Sequence, residues 1–249
     1  MRRTRSWLPP LALAAACLAF LATLAPTDAA ADPTPSPEPT VSAEPSAAPT
    51  PSPSPSPTPS PTFGLNVYRT GAWGRQYSSD QCTAAATQMM INMIRGRQNA
   101  STVLQANIYR YARNHDMLAP SSPGSDPAGW AAALRKFGGG SYHVRSYGGR
   151  EAALRAAATA IRATGRPVGI LAKHGRHAWV MTGFTSTKDP AMTVTFSVTT
   201  AYMSGPLADK DPRPNRQLWR PSVNANFTVY LERDGWLGWV GKYVLVMPG

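Results

Sequence analysis

Beyond residue 62 the apolar positions repeat first at helical and then at strand spacing. Ala84, Ala85, Met89, Ile91 and Ile94 fall on one side of a helix that opens after Ser78, Ser79 and Asp80, all N-cap residue types, and closes at Gly96. A second helix is predicted from its cap Ser101, with Leu104, Ile108 and Tyr111 on one face and His115 near its end. Residues 120–125 read as a loop. Asp126-Pro127 then supplies an N-cap followed by a proline at the first helical position, opening a helix that runs through Phe137 to a triple glycine. Residues 142–147 alternate as a strand, and 150–164 form an alanine-rich helix ended by Gly165.

After that the chain turns to Val, Thr and aromatic runs bounded by Gly and Pro. They predict strands at 167–172, 177–184, 193–203 and 243–247, with a less regular one at 227–231. Helices first and strands second predict an α+β domain, its N-terminal helices packed on a C-terminal antiparallel sheet.

Composition separates this domain, residues 63–249, from what precedes it. Residues 1–31 carry three early arginines, an apolar run and Ala29-Ala30-Ala31, the layout of a secretory signal peptide. Cys17 lies inside the apolar run, which argues against its serving as a lipid anchor. Residues 32–62 are a Pro/Ser/Thr-rich linker with almost nothing to bury, expected as a disordered, extended spacer reaching on the order of 90 Å. The expectation is a secreted or cell-envelope protein, monomeric, with no membrane span left after processing.

Residues 62–249 hold 22 Lys and Arg against 9 Asp and Glu, a formal charge of +13. The charges are scattered rather than drawn into a stripe, which argues against nucleic acid. For an exported chain, anionic cell-wall polymers are the partners this charge suits, unless it is simply a solvated basic surface.

With the leader removed, Cys82 is the lone cysteine and has no intramolecular disulfide partner. It falls in the first turn of its helix, where free N–H groups and the macrodipole favour a thiolate. Gln76, six residues earlier, is within reach to aim an amide at an oxyanion beside that sulfur. The plainer alternative is a small buried residue on an alanine-rich helix. About a hundred residues on, His177 stands at the mouth of an apolar strand just after Gly175. His174 is the alternative base, but it precedes the glycine turn and is expected to be exposed.

Gln76, Cys82 with its helix, and Gly175-Arg176-His177 running into residues 180–183 resemble the papain-like cysteine peptidases, in particular the bacteriocin-processing, double-glycine peptidases and their exported stand-alone relatives. The resemblance implies a papain-like fold, Cys82 as nucleophile, His177 as general base and Gln76 as oxyanion donor, acting on a peptide or protein substrate. Two positions depart from the family pattern. Thr83 stands where glycine is usual, and Met203-Ser204-Gly205-Pro206 offers no Asp or Asn before its proline to orient the histidine.

Asp189 lies at the far end of the hairpin, about 25 Å off at 3.3 Å per residue. Thr200, Ser204 and Asp209 are therefore the candidates for the third role. No three-ligand metal spacing is present, and no cofactor is expected. The sequence thus predicts a secreted thiol hydrolase that cleaves peptide or amide bonds. Its alternatives are a catalytically degenerate binding protein at the cell envelope and an NlpC-type wall-peptide amidase.

Overall fold

A computed structural model describes residues 62–118, 123–207, 210–212, 214–231 and 238–249. The expected leader and nearly all of the linker lie outside them. The chain order is β1 (Phe63–Asn66), α1 (Cys82–Arg95), α2 (Thr102–Arg113), α3 (Pro127–Phe137), β2 (Tyr142–Tyr147), α4 (Arg150–Thr164), β3 (Val168–Ala172), β4 (His177–Ser186), β5 (Val198–Ser204), β6 (Arg216–Trp219), α5 (Arg220–Asn226) and β7 (Tyr243–Pro248). Among the described residues, five helices and one antiparallel seven-stranded sheet make an α+β domain.

The sheet is ordered β2-β7-β3-β4-β5-β6, and β1 pairs with the far half of β4. β3 covers only Ala172 to Val168 against His177 to Met181, so the edge of β4 from Gly183 to Ser186 is left for β1. Strand alternation sends side chains to two cores. Val168, Ile170, Trp179, Met181 and Leu245 pack with Leu154 and Ile161 of α4. Leu171, Ala178, Val180 and Val246 pack with Met89 and Met90 of α1 and Trp130 of α3 on the other face. The sheet is therefore covered on both sides, and β3 and β4 are buried along nearly their whole length. No helix among the described residues is long and apolar enough to cross a membrane.

The helix ends follow the local chemistry with one exception. Ser101 accepts from Leu104 N, Asp126 accepts from Gly129 N, and Gly96, Gly138 and Gly165 end their helices in the left-handed region. The exception is α1, whose N-cap is Gln81 with no side-chain cap bond. Of the residues expected to cap it, Ser78 and Asp80 are engaged elsewhere.

Two strand expectations shift. The 193–203 run becomes strand only from Val198, and Met192 and Val194 stand 82 % and 88 % exposed in the β4–β5 connection. Residues 227–231 contribute only a single bridge, Tyr230 to Val240. β1, β6 and α5 carry too little periodic signal to be read in advance.

Gly183 fixes how closely β1 approaches. A Cβ there sits 2.5 Å from Leu65 O and 2.7 Å from Asn66 Cα, both backbone atoms that cannot rotate away. Gly183→Ala is expected to cost about 1–3 kcal/mol, the usual range for overpacking a tight site. Urea unfolding tests this, with a lower midpoint and an unchanged slope as the expected result.

Candidate active site

Asp80, the nearest expected cap, accepts instead from Ser78 Oγ and Tyr109 Oη, each at 2.6 Å. These bonds hold its carboxyl below the usual range. The first helical bond runs from Ala85 N to Gln81 O, so the N–H groups of Cys82, Thr83 and Ala84 open the helix with no carboxylate over them. Cys82 is the first residue of α1 and a free, half-buried thiol.

His177 reaches that thiol through an unusual turn. Lys173, His174 and Gly175 all have positive φ, at 52°, 62° and 88°. Two consecutive non-glycine residues in the left-handed region are strained, and such strain persists only where neighbours over-determine it. Here they do. His174 N donates to Thr228 Oγ1 at 2.9 Å, Leu231 N donates to His174 O at 3.1 Å, and the Tyr230 ring lies against the α-carbon face of Gly175. The 227–231 run thus serves as a buttress to this turn, and His174 is exposed as expected.

Behind His177 stands a carboxylate, that of Asp211. His177 Nε2 donates to Asp211 Oδ2 at 2.6 Å, and Leu207 N donates to the same oxygen at 2.8 Å. Trp179 Nε1 and Lys173 Nζ reach Oδ1 at 3.0 Å and 3.4 Å. The carboxylate has no solvent exposure. With Nε2 committed, Nδ1 is the ring nitrogen left for the Cys82 sulfur.

Among the described residues it is Asp211 that holds the His177 ring, and neither Thr200 nor Ser204 is hydrogen-bonded to it. Thr200 Oγ1 is spent on Thr185 Oγ1 and Gln217 Nε2, and Ser204 Oγ accepts from Asn215 N. Asp209 lies outside the described residues. β5 ends with Ser204 opposite Val180, three residues short of His177, and the chain then loops out and returns, closed by Gly205 N to Pro212 O at 3.0 Å. Gly205 is needed for that return, since a Cβ would lie 2.4 Å from Asp211 Cβ. The signal was available: Asp211-Pro212 is the Asp-before-Pro pair sought at Gly205-Pro206, displaced by six residues.

Gln76 is buried, but it is not among the residues that line the cavity around Cys82. Its backbone N–H donates to Pro206 O at 3.0 Å and its amide to Ser78 O at 2.8 Å. It braces the loop that carries Asp211. Cys82 and His177 do line one cavity of about 470 Å³, between the start of α1, the α2–α3 connection and the β3–β4 turn. That volume suits a side chain or short peptide segment. Comparison with protein-family models, curated proteins and solved structures finds no match for this chain.

Charge around His177 favours the imidazolium. Burial by itself lowers the pKa of His177, but hydrogen bonds to Asp211 and Cys82 and the negative charges behind them outweigh it and raise the imidazole to about 9. Burial likewise works to raise the Asp211 carboxyl, and its bonds to His177, Leu207 and Trp179 hold it below the usual range instead. No cluster of three potential metal ligands occurs among the described residues.

These shifts carry a stability signature. A histidine raised to about 9 contributes stability that is fully present below its unfolded value near 6.5 and is lost as pH climbs through 9. The Asp211 contribution is present above the ordinary carboxylate range and disappears as acid protonates it. Urea unfolding between pH 6 and 10 is expected to show a loss on the order of 3 kcal/mol from His177, and Asp211→Asn to reduce that slope. A variant whose slope matches the native protein's would contradict the assignment.

Proposed function

We propose that this chain is a papain-like thiol hydrolase that cleaves peptide or amide bonds through a thioester on Cys82, as an exported, stand-alone relative of the double-glycine peptidases. The observation that carries the reading is the alignment of sulfur, imidazole and buried carboxylate: Cys82 and His177 share a cavity, and Asp211 grips the far side of the ring. Each group has the neighbour its role demands.

In the proposed cycle, His177 holds the thiol proton as an imidazolium and the Cys82 thiolate attacks the substrate carbonyl, forming a C–S bond. The oxyanion sits at the start of α1, where the open N–H groups of the first turn are the available donors. His177 Nδ1 gives its proton to the leaving amine as the C–N bond breaks, leaving a thioester. A water then loses a proton to Nδ1 and attacks the thioester carbon, the C–S bond breaks, and acid and thiolate are released. Asp211 keeps its charge throughout and sets the orientation of the ring. Export, the spacer and the +13 domain charge fit work at an anionic cell envelope.

One observation favours a second reading, a binding protein that has lost its chemistry. Gln76, the expected oxyanion donor, does not line the cavity, and its amide nitrogen donates to Ser78 O. Iodoacetamide separates the two. Under the hydrolase reading, Cys82 at pH 6 alkylates at least tenfold faster than free cysteine, because His177 remains charged there, and His177→Ala brings it down to the free-cysteine rate. Cys82→Ala abolishes any amide hydrolysis. A native thiol no faster than free cysteine at pH 6 leaves the binding reading.

A further inference from the structure

The cavity around Cys82 contains five charged side chains besides the catalytic pair, and four are already engaged. Asp126 spends Oδ1 on Gly129 N and Oδ2 on the N–H groups of Met117 and Leu118. Asp116 Oδ1 accepts from Ser125 Oγ and Asp126 N, while Arg113 pairs with its Oδ2 at 3.3 Å. Burial raises the Asp116 carboxyl to about 6, which further weakens the negative charge of that wall in mild acid. Asp80 is held by Ser78 and Tyr109.

The fifth is Arg176. It lines the same cavity from the β3–β4 turn, immediately before His177, and is exposed. Its backbone N–H donates to Lys173 O, but among the described residues its guanidinium has no hydrogen bond or ion pair. Its neighbour Lys173 is turned to Asp211 and to the Trp179 ring. A planar fork of unspent donors at the lip of a reactive thiol matches a carboxylate in shape and charge.

We propose that Arg176 selects the substrate, receiving a carboxylate that the substrate carries close to the bond cleaved. This rests on Cys82 being the nucleophile and adds the substrate class: an amide with an acidic neighbour. The carboxylate has two possible sources, an acidic side chain or a free chain end, and both present the same group to Arg176. The acids on the helical wall do not compete for the guanidinium, because their oxygens are tied to their own elements. Thr83, whose buried hydroxyl has no partner, adds no charge at this lip.

The test uses the full chain and two small alkylating reagents of similar size, anionic iodoacetate and neutral iodoacetamide, with modification of Cys82 followed by mass spectrometry at low salt and pH 7. The iodoacetate-to-iodoacetamide rate ratio is expected to fall about fivefold in Arg176→Gln and about tenfold or more in Arg176→Glu, and the differences to shrink in 0.5 M salt. Equal ratios in all three proteins overturn the proposal while leaving the nucleophile intact. A native thiol inert to both reagents overturns the nucleophile and this proposal with it. Hydrolysis of an amidated peptide with an internal glutamate, a neutral peptide with a free C-terminus and a neutral amidated peptide then identifies the source. Native protein favouring either acidic peptide, with the preference lost in Arg176→Glu, supports the proposal, and no preference among the three overturns it.

Discussion

A single buried carboxylate holds the candidate site together. The Asp211 side chain has no solvent contact, yet four donors from three separate stretches of chain converge on it: His177 and Trp179 on β4, Lys173 in the turn before β4, and Leu207 in its own loop. An unpaired charge in that position is prohibitive, and removing one partner of such a pair typically costs about 3–5 kcal/mol. The loop closure, the glycine at position 205 and the orientation of the imidazole are therefore one constraint. The sheet supplies the frame, with β4 near its centre and buried almost throughout, so His177 and Trp179 project from a fixed strand toward the loop that carries Asp211.

The helical side meets this frame with the opposite arrangement. α1 begins at the sulfur with bare N–H groups, because Asp80, which has the chemistry to cap it, is drawn to Ser78 and Tyr109. A capped helix end spends its field on its own side chain, whereas an uncapped end beside a cavity leaves that field for whatever enters. The α2–α3 connection completes the wall, pinned by Asp126 and Asp116 to backbone donors on both sides. A group entering the cavity thus meets the start of a buried strand on one side and an open helix end on the other.

The sequence discloses those parts whose signal is local. The starts of α2 and α3 follow from Ser101 and Asp126-Pro127, the ends of α1, α3 and α4 from their terminal glycines, and β3, β4 and β7 from runs too apolar to face water. Cys82 in a first helical turn and His177 at the mouth of an apolar strand are local readings, and the two side chains line one cavity. What could not be read depends on distance in the chain. The acid was sought on the strand returning beside His177, but β5 stops at Ser204 and the carboxylate comes from an excursion whose length no periodicity encodes. Gln76 carries the right chemistry at a plausible spacing, and only the position of Pro206 reveals that it braces a loop. Residues 227–231 look like a strand because they are apolar and aromatic, a composition that equally suits packing under the strained turn at His174.

The central claim is that His177 bridges Cys82 and Asp211 as a charged ring. The most direct measurement is an NMR titration of the 15N-labelled histidines in the native protein and in Cys82→Ala. The account predicts that His177 stays an imidazolium to about pH 9 and that its titration falls below 9 once the sulfur is gone. A His177 ring that titrates near 6.5 in both proteins would contradict it.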